Sequence, residues 1–154
     1  MKDLDKKLIK EILNAQRREL TEHHIYARLA RAMKQGNDKE ILKRISQDEL
    51  SHSEFWKGYS KKDVKPDKFT ILKYTFISMI FGNTFGLKLM EKGEGDASEK
   101  YQEFTSAIPE VKKLIQDEDV HEREILGLLD EDFGITGLSF IIGFVIRKFF
   151  NIEI

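Results

Sequence analysis

The segment Gln116-Asp117-Glu118-Asp119-Val120-His121-Glu122 decides how this chain folds, because within a helix it places Glu118 and His121 one turn apart on the same face. Apolar residues flank the pair at heptad intervals and put that face in the interior, namely Val111, Leu114, Ile125 and Leu128. A carboxylate that is buried without a partner is costly. We therefore expect a divalent metal ion, bound by glutamate and histidine together, to neutralise it.

The same arrangement occurs a second time, earlier in the chain, where Glu49 and His52 have the spacing of Glu118 and His121. The apolar residues around the earlier pair repeat the later spacing, namely Leu42, Ile45, Trp56 and Tyr59. The two preceding stretches also match each other, with Ile12, Glu19 and Tyr26 in one and Leu87, Glu94 and Tyr101 in the other. We interpret the chain as a doubled helical hairpin, with Glu-x6-Tyr on one helix and Glu-x-x-His on the next.

Length and composition exclude several classes of protein. The 154 residues suit one domain, and 26 basic residues nearly cancel 27 acidic ones, so nucleic acid is not an expected partner. The absence of cysteine excludes disulfides, thiolate chemistry, iron–sulfur ligation and cysteine-based zinc sites. The amino terminus, MKDLDKKLIKEI, lacks the apolar core of a secretory signal. We therefore expect a cytoplasmic location.

Apolar periodicity predicts an all-α fold, an antiparallel four-helix bundle in residues 1–133. The four helical regions are expected at Asp3 to Gln35, Asp38 to Tyr59, Asp67 to Thr105, and Pro109 to Asp130. Asp38 is predicted to cap the second helix, and Pro109 to occupy the first position of the fourth. Gly82 and Gly86 fall in the middle of the third region, which should therefore bend or split in two.

Residues 134–154 form a final apolar segment, which we predict to be an additional carboxy-terminal helix. The segment is too short and too interrupted to span a bilayer, which takes about 20 consecutive apolar residues. The stretch from Phe69 to Leu89 is apolar almost all round and needs cover on more than one side. We expect the two segments to pack together, within one chain or across a homodimer. Peripheral membrane contact is the alternative.

A purely structural interpretation of the repeated pattern must place four carboxylates and two imidazoles inside a bundle without a cation. Like-charge repulsion and desolvation both oppose that arrangement. A single Glu-x-x-His motif would be a weak signal, since a salt-bridged surface turn commonly produces one. Two divalent ions would balance the four carboxylates, and one histidine on each side would complete each site.

With these residues in place, the sequence resembles the ferritin-like di-iron-carboxylate superfamily, most closely its rubrerythrin-like members. The segments ELTEHHIY (19–26), DELSHSEFW (48–56) and DEDVHERE (117–124) are similar to the rubrerythrin-related domain that some vacuolar-iron-transporter-like proteins carry before a membrane region. The resemblance covers residues 5 to 130. Since residues 134–154 are not an adequate membrane region, we do not expect the transporter function to carry over.

The resemblance implies two iron ions as cofactor, with manganese or zinc as alternatives. It implies Glu19 and His52 on one ion and Glu94 and His121 on the other. Glu49 and Glu118 would bridge the two ions. Tyr26 and Tyr101 resemble the family's tyrosines near the metals, where they would hydrogen-bond a ligand carboxylate; packing with a satisfied hydroxyl is the alternative.

Five further residues near this pattern have less definite roles. His23 is expected to assist a ligand or to lie at an interface. Glu22 and Glu122 are expected at the surface, where carrying incoming iron is the alternative. Ala97 stands where rubrerythrins proper have an extra acid, and Glu91 is a substitute for that acid or a surface residue.

The implied function is that of an oxidoreductase, which oxidises ferrous iron or reduces oxygen or peroxide. A peroxidase would need an external electron donor, because the chain lacks the cysteine-ligated rubredoxin domain of rubrerythrins. The main rival is a non-enzymatic module for metal binding, iron storage or iron sensing, with or without membrane association. A purely structural dimerising bundle is the third interpretation.

Overall fold

The computed structural model describes residues 6–132, without the side chains of Thr84, 91–96 and 130–132. Five α-helices occupy this part of the chain: α1 Lys6–Ala32, α2 Asn37–Ser60, α3 Lys68–Phe81, α4 Asn83–Gln102 and α5 Val111–Asp132. No β-strand occurs in residues 6–132. The predicted all-α class is therefore confirmed for the described residues. The predicted helix in 134–154 lies outside them.

The helices pack in two pairs, as expected for a doubled hairpin. Helix α1 packs along α2, and α4 packs along α5. Contacts between α2 and α5 join the two pairs, while α3 lies against α1 and α4. The helices that carry Glu49 and Glu118 are therefore neighbours in space, although the two glutamates are 69 positions apart in the sequence.

Two apolar clusters fill the interior. The first contains Ile25, Leu42 and Ile125, and the second contains Ile12, Trp56 and Val111. Along α1, α2 and α5 alike, the glutamates of the repeated pattern fall between a residue of one cluster and a residue of the other. The sequence period thus places a polar layer midway along the helices, with apolar packing on both sides.

The third helical region splits in two, as its glycines indicated. The break falls at Gly82, whose φ of 90° and ψ of 160° end α3. Gly86 remains inside α4, where an added Cβ would overlap Ser78 of α3, so the missing side chain permits close packing. Asp67 begins α3 by accepting hydrogen bonds from the backbone amides of Phe69 at 2.9 Å and Thr70 at 3.1 Å.

Two predicted helix starts are wrong. Helix α2 begins at Asn37, so Asp38 lies inside the first turn, and among the described residues no side chain caps this helix. Helix α5 begins at Val111, and Pro109 belongs to the preceding turn, where its carbonyl oxygen accepts from Lys112 at 3.3 Å. Both sites satisfy the sequence rule for a start. A turn of backbone hydrogen bonds precedes α5, whereas Gly36 occupies the N-cap position of α2 and takes the place predicted for Asp38.

Helix α3 exposes an apolar face. Five of its large apolar side chains are 51–77% exposed, namely Phe69, Leu72, Phe76, Met79 and Ile80. Only Ile71 and Ser78 of this helix are buried. The segment predicted to cover this face, 134–154, lies outside the described residues. Among the described helices, none has the length and apolar character to cross a membrane.

The positive φ of Gly82 supplies a test of the break between α3 and α4. Gly82→Ala should lower the free energy of unfolding by about 1–3 kcal/mol, because a side chain is strained at this positive φ. Gly58→Ala is the matched control, since Gly58 lies inside α2 with open space around its Cα. That change should raise stability by roughly 0.5–1 kcal/mol. Urea denaturation of both variants checks the pair, and equal midpoints would contradict it.

Candidate metal centre

Five buried polar side chains meet in the layer between the two apolar clusters. Glu19 comes from α1, Glu49 and His52 from α2, and Glu118 and His121 from α5, and none is more than 4% exposed. One ligand atom from each of Glu19, Glu49, His52 and Glu118 lies within 4.8 Å of the others. These four residues could hold a metal ion.

Helix geometry alone explains why the glutamate and the histidine of each Glu-x-x-His pair lie together. Glu49 and His52 stand one turn apart on α2, as Glu118 and His121 do on α5, so each pair projects from one face. The contact between α2 and α5 then brings the pairs together, with the imidazole ring centres of His52 and His121 5.8 Å apart. Glu19 closes the cluster from α1.

Glu49 and Glu118 each face both histidines, using a different oxygen for each. Glu49 Oε2 lies 3.7 Å from His52 Nδ1, and Glu49 Oε1 lies 3.0 Å from His121 Nδ1. Glu118 Oε1 lies 3.3 Å from His52 Nδ1, and Glu118 Oε2 lies 4.0 Å from His121 Nδ1. Two carboxylates therefore lie between two imidazole nitrogens. In this geometry each carboxylate has one oxygen near each histidine.

Two aspartates hold the outer nitrogens of the histidines. Asp117 Oδ2 lies 3.3 Å from His52 Nε2, and Asp48 Oδ2 lies 3.3 Å from His121 Nε2. A carboxylate at Nε2 favours a proton on that nitrogen, which leaves Nδ1 with a lone pair for the centre of the cluster. Each aspartate thus acts on the histidine of the other helix.

The sequence interpretation missed Asp48 and Asp117, although a signal for them exists. Each aspartate directly precedes the glutamate of its own repeat, so the repeated motif is Asp-Glu-x-x-His and not Glu-x-x-His alone. Both aspartate side chains are 38% exposed, which places them between the buried layer and the solvent. Arg44 contacts Asp48 at 3.4 Å and also pairs with Glu124, and so ties α2 to α5 beside one histidine.

Electrostatics in the cluster favour a positive charge at its centre. Burial disfavours charge on His52, but the carboxylates of Glu118 and Glu19 outweigh burial and raise the His52 pKa to about 11. Burial also opposes ionisation of Glu19. Contacts with Glu49, Arg18 and His52 outweigh it and lower the Glu19 pKa to about 2. Without a metal ion, a proton on His52 therefore offsets part of the buried negative charge.

The donor atoms of the cluster fit a metal ion. Glu19 Oε2, His52 Nδ1 and His121 Nδ1 are buried and form no hydrogen bond within the part of the chain that the structure describes. Buried polar atoms without hydrogen bonds are rare in native proteins, and a bound ion is one of the partners that such atoms have. Carboxylate oxygen and imidazole nitrogen together suit iron, manganese or zinc.

The remaining predicted ligand cannot be placed. The backbone of Glu94 belongs to α4, but its side chain and that of Glu91 lie outside the described residues. The ligand role of Glu94 therefore stays a prediction. Ala97, one turn further along α4, is fully buried.

The two tyrosines lie in different apolar clusters. Tyr101 accepts a hydrogen bond from Trp56 Nε1 at 3.2 Å, and the ring centres of the two residues are 5.1 Å apart. Tyr26 is fully buried in the other cluster, next to Ile25. Tyr101 thus has the satisfied hydroxyl of the packing alternative. The catalytic roles of both tyrosines stay predictions.

His23 and Glu22 have roles at the contacts of α1. His23 Nδ1 lies 2.6 Å from the Ser46 carbonyl oxygen, to which it donates, and Ser46 Oγ donates to the His23 carbonyl oxygen at 3.0 Å. His23 therefore joins α1 to α2. The predicted surface position of Glu22 is wrong, because Glu22 is 9% exposed and lies 3.5 Å from Arg18 Nε. Glu122 is half-buried.

Comparisons with models of protein families, with curated proteins and with solved structures found no match for this chain.

The contact between Asp117 and His52 predicts a role in metal affinity. Asp117→Ala should weaken binding of Zn²⁺ about 10–100-fold, because His52 loses the carboxylate that orients its ring. Competition with a chromophoric chelator measures the affinity. Asp63→Ala removes the same charge from a side chain that is 88% exposed and should leave the affinity unchanged. Equal affinities in the two variants would contradict the role of Asp117.

The raised pKa of His52 predicts that metal binding releases a proton. The group holds its proton at neutral pH because its pKa is about 11, and a metal ion at Nδ1 must displace that proton. Apparent Zn²⁺ affinity should therefore rise about tenfold per pH unit between roughly pH 6.5 and 8. Calorimetry in buffers with different ionisation enthalpies counts the protons released. An affinity that is flat with pH would refute the expectation.

Proposed function

We propose that this protein is a di-iron-carboxylate oxidoreductase of the ferritin-like, rubrerythrin-like type. Helices α1, α2, α4 and α5 would form its antiparallel four-helix bundle. The observation that carries the proposal is the position of Glu49 and Glu118, each of which faces both His52 and His121 with separate oxygens. Two bridging carboxylates with a histidine on either side are what a dinuclear centre requires.

The proposed ligand set divides over two metal positions. Glu19 and His52 would hold one ion, Glu94 and His121 the other, and Glu49 and Glu118 would bridge them. The described part of this set is buried and comes from three helices, so its geometry does not depend on flexible loops. Four carboxylates would neutralise two divalent ions, which removes the cost of burying the acids.

Bound iron would supply one-electron redox chemistry, by which ferrous iron is oxidised or oxygen or peroxide is reduced. The protein's own residues would bind the metal ions, orient the ligand side chains and exclude water from the centre. The apolar clusters on both sides of the layer, with Trp56 and Ile125 fully buried, keep bulk water from the carboxylates. The carboxylates of Asp48 and Asp117 lie at the Nε2 atoms and would orient both rings so that the Nδ1 atoms face the metal.

Peroxide reduction would need electrons from outside this chain. The sequence contains no cysteine, and an iron–sulfur or rubredoxin-type donor needs cysteine ligands. We propose that an external donor supplies the electrons. Ferrous iron oxidation has no such requirement, because the iron is then itself the reductant.

Assembly and location are proposals of the same kind. The exposed apolar face of α3 supports a homodimer, since monomeric proteins rarely leave a large contiguous apolar patch in water. Peripheral membrane contact is the alternative use of that face. A cytoplasmic location stays an expectation.

Anaerobic loading with ferrous iron, followed by air, tests the proposed function. The wild-type protein should hold two iron ions per chain, consume oxygen and develop a near-ultraviolet absorption that the ferrous form lacks. Glu118→Ala should lower the iron content below two, because it removes a proposed bridge that is 1% exposed. Glu54→Ala, at a 64%-exposed position of α2, is the matched control and should behave as the wild type.

The same experiment separates the proposal from its main rival. A protein for metal binding, storage or sensing alone would take up iron or another divalent ion without turning over oxygen or peroxide in the presence of a reductant. Iron content below two per chain in the wild type, with no oxygen consumption, would refute the di-iron redox function.

A further inference from the structure

Arg18 lies directly beside the candidate metal centre. Its Nη2 atom lies 3.1 Å from Glu19 Oε1, and its Nε atom lies 3.5 Å from Glu22 Oε2. Its guanidinium carbon stands 4.8 Å from the centre of the Tyr101 ring, which is within cation–π range. The guanidinium is therefore held on three sides.

The partners of Arg18 are themselves fixed in position. Tyr101 is buried and bound through its hydroxyl to Trp56, which is also buried. Glu22 lies one turn from Arg18 on α1, so their contact stays within the helix. A guanidinium with such neighbours is a rigid donor and not a mobile surface charge.

The two oxygens of Glu19 consequently have different surroundings. Oε1 contacts the guanidinium of Arg18, while Oε2 faces the cluster and lies 3.8 Å from His52 Nδ1. A metal ion bound by both oxygens would come close to the guanidinium at Oε1, and the two positive charges would repel each other. The observed contact therefore favours binding through Oε2 alone.

The guanidinium also distinguishes the two halves of the repeat. In the register that aligns Glu19 with Glu94, the residue at the position of Arg18 is Gly93. A positive charge at this position thus belongs to the Glu19 half only.

We propose that Arg18 is a positioning residue, which holds Glu19 as a one-oxygen ligand and keeps a coordination position at the adjacent metal ion open for a small reactant such as oxygen or peroxide. The inference rests on the proposed function, since it assumes that Glu19 binds metal. The guanidinium also places a positive charge near the metal ion, and this repulsion lowers the metal affinity. Arg18 would therefore lower the affinity for the metal ion and, in return, keep the ion accessible to the small reactant.

The redox-inert ion Co²⁺ is the probe, because its visible absorption weakens as the number of ligands increases. In Arg18→Gln the freed Oε1 should bind, so the absorption per Co²⁺ should fall. The affinity for Co²⁺ should rise about tenfold, as expected for the loss of one nearby positive charge. Arg17→Gln removes the same charge from the exposed neighbouring residue and should change neither quantity.

Arg18→Lys adds a rescue test. Lysine keeps a charged donor on this side of Glu19, so it should restore the wild-type spectrum in part and bind Co²⁺ less tightly than Arg18→Gln. Circular dichroism of the metal-free variants establishes that each is folded. Should Arg18→Gln fail to fold, the comparison of Arg18→Lys with the wild type decides, and identical spectra and affinities would then count against the proposal.

The outcomes separate this inference from the function on which it rests. A wild type that binds no Co²⁺ would overturn both. A wild type that binds Co²⁺, together with an Arg18→Gln variant of unchanged spectrum or weaker affinity, would overturn the role of Arg18 alone. A weaker absorption and a tighter affinity in Arg18→Gln, absent from Arg17→Gln, would support it.

Discussion

The burial of carboxylates between two apolar clusters is the constraint on which this structure depends. Glu19, Glu49 and Glu118 are 0–1% exposed, in a layer that also holds His52 and His121. Such a layer is unfavourable unless positive charge balances it, because desolvation penalises each ionised acid and the acids repel one another. In the metal-free protein a proton on His52 supplies part of that charge, as its raised pKa indicates. A metal ion would take over this role and displace the proton.

Contacts between α2 and α5 determine how the histidines of the layer are oriented. Each histidine projects from one helix and is oriented by an aspartate of the other, through the contacts of His52 with Asp117 and of His121 with Asp48. The halves of the hairpin repeat are therefore incomplete when taken singly. The contact between α2 and α5 gives the outer nitrogen of each histidine, Nε2, an aspartate partner and leaves the inner nitrogen, Nδ1, facing the carboxylates.

The two halves of the sequence repeat have the same Glu and His pattern but different neighbouring residues. Arg18 stands beside Glu19, where the register of the other half has Gly93. A charge beside a carboxylate alters how that carboxylate can bind a metal ion, although the carboxylate itself is unchanged. A charge beside Glu19 and none beside its counterpart therefore makes the two halves of the repeat electrostatically different.

The sequence by itself determined the all-α class, the split near Gly82 and the heptad phase that turns Glu49, His52, Glu118 and His121 inward, because helical periodicity is a local property. The start of α5 at Val111 was missed, since the backbone bonds of the preceding turn, and not apolar periodicity, set where the regular helix begins. Only the tertiary structure decided which oxygen faces which nitrogen, which aspartate orients which histidine, and where the Arg18 guanidinium lies. Those contacts join residues that are distant in the chain, and they follow from how the helices cross and pack, which periodicity along one helix does not encode.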